Sequence, residues 1–189
     1  MTNYYIADLH FGHQNIMAFD NRPFIDVEEH DAVLIKNWNM VVDIDDDIYI
    51  IGDISWYNST KTIEILKQLN GRLHLVKGNH DSKILKNPEL RKLFVEICDY
   101  KEITDDDGLG IILCHYPIHC FKNHYYDWIH LYGHVHATWE GDFVDKMKKE
   151  MIDIYDVSCR MYNVGCMMDY MGYTPRTLTE ILNACEGEW

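Results

Sequence analysis

Asp47-Ile48-Tyr49-Ile50-Ile51-Gly52-Asp53 and Leu73-His74-Leu75-Val76-Lys77-Gly78-Asn79-His80-Asp81 are the two stretches whose reading decides the fold. Each is a short β-rich run that stops at a glycine and a polar residue able to ligate metal. Between them, residues 60–69 read as a helix closed by Asn70-Gly71. The same unit precedes them. Residues 4–7 read as a buried strand ending at Asp8, and a polar loop runs to Asn15. Val27, Leu34, Trp38 and Val41 then recur at helical spacing and predict a helix over 27–42. Strand, helix and strand in alternation, with a polar cluster after each strand, is the sequence form of βαβ units carrying a site at the carboxyl ends of the strands.

The second half departs from this pattern. Strands over 94–103 and 110–114 flank Asp105-Asp106-Asp107-Gly108 and predict a hairpin. Residues 129–132 and 161–164 are further strands, and 178–184 a closing helix. Val144, Met147, Met151 and Tyr155 share one face of another helix, a stripe read as core packing. No repeat, low-complexity segment or linker divides the chain, so residues 1–189 are expected to form a single domain.

The composition bounds the function. At 189 residues, 47% hydrophobic and 25% charged, the chain has the balance of one globular domain. A chain of this size buries roughly 70% of its unfolded surface and needs no disulfide framework. The six cysteines form no Cys-x-x-Cys pair, which points to a reducing cytoplasm. Neither a signal segment nor an apolar run approaching the ~18 residues of a membrane span is present, so no membrane partner is expected. Seventeen basic against thirty-one acidic residues give a net charge of −14. That charge makes long nucleic acid an unlikely partner and leaves a small phosphorylated substrate open. The sequence leaves the oligomeric state open.

Five clusters carry chemistry: Asp8-Leu9-His10, Gly52-Asp53, Gly78-Asn79-His80-Asp81, His115, and Gly133-His134-Val135-His136. Each falls where a strand ends. Mixed carboxylate and imidazole suit Mn²⁺, Fe, Zn²⁺ and related ions. Seven candidate ligands are too many for one ion and about right for two. Residues i and i+2 of an extended segment project together, so Asp8 with His10, and His134 with His136, can each converge on a centre. An Asp between two cations can bridge them through its two oxygens. Alone, each piece is more often a turn, a cap or a packed histidine. His30, His74, His124 and His130 are read that way, as surface or core residues.

The clusters in this order resemble the calcineurin-like metallophosphoesterase superfamily, from Asp8 to Asn163-Val164-Gly165 and Gly172-Tyr173-Thr174-Pro175. Asp8-Leu9-His10-Phe11-Gly12-His13 is most similar to the small single-domain bacterial and phage members. The resemblance implies an α/β sandwich of two mixed β-sheets flanked by helices, with a dinuclear site at one edge. It also implies Asp8, His10 and His136 on one metal, Asn79, His115 and His134 on the other, and Asp53 bridging them. His80 matches the family's non-ligand histidine that contacts phosphate and protonates the leaving group. The implied cofactors are two divalent transition-metal ions, Mn, Fe, Zn or Ni, with manganese foremost.

One departure matters. Phosphoprotein phosphatases of the superfamily continue Gly-Asp with an Asp and an Arg, whereas here Gly52-Asp53 runs into Ile54-Ser55-Trp56-Tyr57-Asn58. The expected activity is therefore hydrolysis of a small phosphodiester or phosphomonoester, such as a nucleotide. His80 must be oriented from elsewhere, with Asp81 the nearest candidate. His13, Arg22 and His119 are candidate phosphate contacts. The competing readings are a nuclease on short or single-stranded ends, a scaffold that has lost catalysis, and a structural zinc site. The first would show a basic groove, the second gaps in the ligand set, and the third a closed set of four ligands rich in cysteine.

Overall fold

A computed structural model describes residues 1–105 and 108–186. In chain order the elements are β1 (Asn3–Ile6), α1 (Ile16–Phe19), α2 (Val27–Val41), β2 (Asp47–Ile51), α3 (Ser59–Leu66), β3 (Arg72–Val76), α4 (Pro88–Arg91), β4 (Phe94–Cys98), β5 (Lys101–Thr104), β6 (Gly110–Leu113), β7 (Ile129–Tyr132), α5 (Trp139–Tyr155), β8 (Met161–Asn163) and α6 (Leu178–Glu186). They build two four-stranded sheets, ordered β1-β2-β3-β4 and β5-β6-β7-β8. Neighbouring strands of the first sheet run parallel, and an antiparallel bridge from Tyr5 to Arg176 adds to its β1 edge. The second is mixed: β5 is antiparallel to β6, while β6, β7 and β8 run parallel.

The central β2 is buried at every residue, as a parallel strand covered on both faces must be. In β6 the side chains alternate between two cores. Ile111 and Leu113 join the large core with Ile6, Ile50 and Leu75 of the first sheet. Ile112 joins a smaller core with Phe121, Met161 and Val144 of α5. The sandwich thus has one core between the sheets and another beneath α5.

Two expectations need correction. Residues 94–103 are not one strand: β4 ends at Cys98 in the first sheet and β5 begins at Lys101 in the second. Asp99 and Tyr100, both exposed, carry the chain across, so the hairpin is β5–β6 alone. Of its expected turn, Asp106 and Asp107 lie outside the described residues, while the Gly108 N–H donates to the Asp105 carbonyl at 2.9 Å. On α5, Val144 is buried and Met147 and Met151 partly so, but Tyr155 is 70% exposed, because the helix runs past the edge of the small core.

Among the described residues no disulfide joins the six cysteines. Among the described residues no helix is long and apolar enough to cross a membrane.

Helix α2 begins where Asp26 accepts the Glu29 N–H at 2.8 Å and the Glu29 carboxylate accepts the Ile25 N–H at 2.7 Å. We expect Asp26→Ala to cost about 1 kcal/mol, the usual worth of such a cap. Urea unfolding should show it as a lower midpoint with an unchanged slope.

Candidate metal centre

The residues singled out in sequence converge at one end of the sandwich. Asp8, Asp53, His115 and His134 each lie two residues beyond β1, β2, β6 and β7, and Asn79 lies three beyond β3. All five strands present their carboxyl ends there, because β1, β2 and β3 run parallel, as do β6 and β7.

The local backbone is unusual. Asp8, His10, Asp53, His134 and His136 all have left-handed φ, between 49° and 71°. Asp and His tolerate this region better than most side chains, though still at a cost. The pairs therefore turn rather than extend, which corrects the reason given for their convergence. His10 Nε2 meets His136 Nε2 at 3.2 Å, near Asp8. His134 turns away from His136: its Nδ1 lies 2.9 Å from Asn79 Oδ1, which is also 3.1 Å from His115 Nε2. The two histidines of one short loop thus serve opposite halves of the site.

Asp53 stands between the halves. Its Oδ2 is 3.8 Å from His10 Nε2 and 3.5 Å from His115 Nε2. Its Oδ1 accepts the His80 N–H at 2.9 Å. Two sets, Asp8 with His10 and His136, and Asp8 with Asp53 and His115, each offer ligand atoms within 4.8 Å of one another.

The protonation pattern fits cations. His136 Nδ1 donates to Asp20 at 2.9 Å and His115 Nδ1 to the Ile51 carbonyl at 2.8 Å, so each ring, when neutral, aims a bare Nε2 into the site. His10 Nε2 faces that of His136, while His10 Nδ1 is buried without a partner. Burial, then His136, holds the His10 imidazole well below its ordinary pKa. Burial also raises Asp8 above the usual carboxylate range. At His115 burial pulls downward, yet the hydrogen bond to Asp53 and the charge of Asp8 prevail and lift its pKa to about 9. A proton on His115 would offset part of the charge of Asp8 and Asp53.

Close approach depends on glycine. A Cβ on Gly78 would sit 2.1 Å from Asp53 Oδ1, and one on Gly52, whose φ is +87°, would sit 2.3 Å from His115 Nδ1. Asp81 locks the same loops: its buried carboxylate accepts the N–H groups of Gly78, Asp53 and Ile54 at 2.7, 3.0 and 2.9 Å. Asp81 therefore holds backbone and does not orient the His80 ring. That ring, 44% exposed, instead lies against Trp56 with centroids 4.2 Å apart.

Of the candidate phosphate contacts, Arg22 is consumed structurally. Only 3% exposed, it donates to the Asp8 and Leu9 carbonyls, to Asp20 and to His30. His13 stacks on Trp56 at 4.0 Å. The carbonyl of His119 accepts from the Cys159 thiol of the smaller core at 3.9 Å. His30, His74, His124 and His130 are buried; His30, His74 and His130 are hydrogen-bonded away from the centre, and His124 packs on Phe121 and Tyr125. Sequence reasoning missed Asp20 and Trp56. Asp20 follows the short α1, and its only signal was an acidic residue beside Arg22.

Two outcomes follow from this geometry. Asp81→Ala should leave three loop N–H groups without an acceptor, costing about 3 kcal/mol or more in urea unfolding and weakening metal uptake. Ligation needs neutral imidazole, while the metal-free His115 is protonated below about pH 9. Metal uptake at pH 7 should therefore release protons, and apparent affinity should rise with pH. Calorimetric titration in buffers of different ionisation enthalpy checks both.

Known proteins resemble this chain in sequence and fold. The calcineurin-like phosphoesterase family profile matches residues 1–161. An uncharacterized protein of Methanocaldococcus jannaschii is 34% identical over 152 residues, 78% of each chain. The gene 66 protein of Mycobacterium phage L5 is 32% identical over 164 residues, 72% of this chain and 79% of its own. A solved structure of a protein of unknown function from Aquifex aeolicus superposes with a TM-score of 0.70 at 28% identity, over 96% of this chain and 98% of that one. Ligand-type residues at the ends of parallel strands in both sheets, and a family match across most of the chain, lead to one conclusion: the chain belongs to the calcineurin-like phosphoesterase family.

Proposed function

We propose that the protein is a dinuclear-metal phosphoesterase that hydrolyses a small phosphodiester or phosphomonoester of nucleotide type. The observation that carries this reading is Asp53, whose Oδ2 lies between His10 of one ligand cluster and His115 of the other. In this reading Asp8, His10 and His136 hold one divalent transition-metal ion, Asn79, His115 and His134 hold a second, and Asp53 serves both. Manganese is the first candidate for mixed oxygen and nitrogen donors. Bound there, the ions would supply an acidified water and neutralise charge on the phosphate.

The chain's own residues do the rest. Asp20 and the Ile51 carbonyl hold His136 and His115 in the tautomers that ligate. His80 donates its backbone N–H to Asp53 and holds its Nε2 3.9 Å from Asp53 Oδ2, with the ring partly exposed at the mouth. A departing alkoxide needs a proton more than the nucleophile needs a base, and His80 is placed to give it. The net charge of −14 favours a small substrate over long nucleic acid. Six cysteines without a disulfide among the described residues suit a reducing compartment, in our reading the cytoplasm.

The experiment compares Asp53→Asn with His80→Asn in purified protein of measured metal content. Asp53→Asn should lose metal and turnover together. His80→Asn should keep two ions per chain and lose about 10²–10⁴-fold on esters with poor leaving groups. It should lose far less on an activated aryl ester. One ion per fully loaded wild-type chain would refute the dinuclear reading, and equal losses on both ester types would remove His80 as proton donor.

A further inference from the structure

A cavity of about 360 Å³ opens directly beside His80. Asn79 and His80 line it on the side of the metal centre, Trp56 and Ile84 add apolar wall, and Ser82 and Lys83 are exposed at its rim. We propose that this cavity is the leaving-group subsite and that it is built for the nucleoside part of a nucleotide ester, with the base against the Trp56 indole. The inference rests on the phosphoesterase reading above.

Three observations support it. The first is position. In an in-line displacement the attacking and departing oxygens lie on opposite sides of phosphorus. With the nucleophile arising among the ligands, the departing oxygen faces His80, and whatever that oxygen carries must lie beyond. The cavity begins there, sharing Asn79 and His80 with the centre.

The second is the wall. Trp56 is 42% exposed although it is one of the largest apolar side chains available. It is also braced by neighbours: its ring stacks on His13 at 4.0 Å with 8° between planes, and lies 4.2 Å from His80. An indole held against two neighbouring rings and still partly open gives a flat ring somewhere to stack at little entropic cost. The 360 Å³ volume lies within the range of small-molecule sites.

The third is charge. Lys83 forms no ion pair among the described residues, in a chain that carries thirty-one acidic groups. An unspent ammonium at the rim suits a base carbonyl or a second phosphate on the same nucleotide.

The test separates this subsite from the metal chemistry. Adenosine, which has no phosphate, serves as probe for the metal-free protein in saturation-transfer NMR. The base protons should receive saturation from wild type. Trp56→Ala should reduce it about fivefold or more, the usual scale of base–aromatic stacking, and Trp56→Phe should restore most of it. In metal-loaded protein, the kcat/KM ratio of adenosine monophosphate to methyl phosphate should fall about tenfold in Trp56→Ala. Lys83→Gln should lower the ratio of a nucleoside bisphosphate to the monophosphate. No saturation from wild type, or equal saturation from a folded Trp56→Ala, overturns the subsite. If loaded protein cleaves neither these monoesters nor a cyclic nucleotide or aryl phosphodiester while adenosine still binds through Trp56, the phosphoesterase reading fails and the aromatic site stands.

Discussion

Two carboxylates, Asp8 and Asp53, lie almost wholly out of solvent within a few ångströms of each other. Everything around the centre answers that constraint. Buried like charges cannot coexist unless something positive joins them or one takes up a proton. The nearest guanidinium, on Arg22, binds the carbonyl of Asp8, not its carboxylate. What faces the carboxylates is imidazole: His136 toward Asp8, and His10, His80 and His115 toward Asp53. Imidazole can carry a proton or yield it to a cation, so the cluster tolerates both the empty and the filled condition. The raised pKa of His115 and the depressed pKa of His10 show the compensation unevenly shared.

Holding the cluster in place costs backbone freedom. Five candidate ligands sit in left-handed conformations, and two glycines bring their loops to contact distance of Asp53 and His115. Such strain persists only where surrounding bonds over-determine it. Here they do. Asp81 takes three loop N–H groups, Asp8 takes the His134 N–H, and the Asp8 and His10 N–H groups donate to the Gly52 and Asp53 carbonyls. The carboxylate that sequence reasoning cast as the orienter of His80 is the fastening of the loops on which His80 stands.

Much of this was legible because its signals are local. A β-rich run stopped by glycine and a ligand-type residue reads the same wherever it lies, and β2 and β3 with their loops emerged nearly residue for residue. The boundary between β4 and β5 was not legible: two exposed residues suffice to carry a strand from one sheet to the other, and Asp99-Tyr100 has no breaker in it. The division of His134 from His136 was invisible to spacing, since left-handed turns reverse the direction that an extended chain would give. Asp20 and Trp56 act through contacts with His136 and with His10, His13 and His80, contacts that exist only after the loops assemble.

The centre also joins the two sheets. Asp8, His10, Asp53 and Asn79 come from loops of the first sheet, and His115, His134 and His136 from the second. Among the described residues the edges are linked there by backbone bonds from Ala7 N–H to the Val164 carbonyl at 2.8 Å and from Cys166 N–H to the Ala7 carbonyl at 2.9 Å. Ions held by both sheets would bind only the folded arrangement. At a thousandfold excess over the dissociation constant each site would add about 4 kcal/mol by mass action, a large share of a typical domain's stability. The strain and charge crowding that the metal-free fold carries therefore have a physical counterpart. They would keep the ligands where a cation would need them, so that binding would spend little energy on rearrangement.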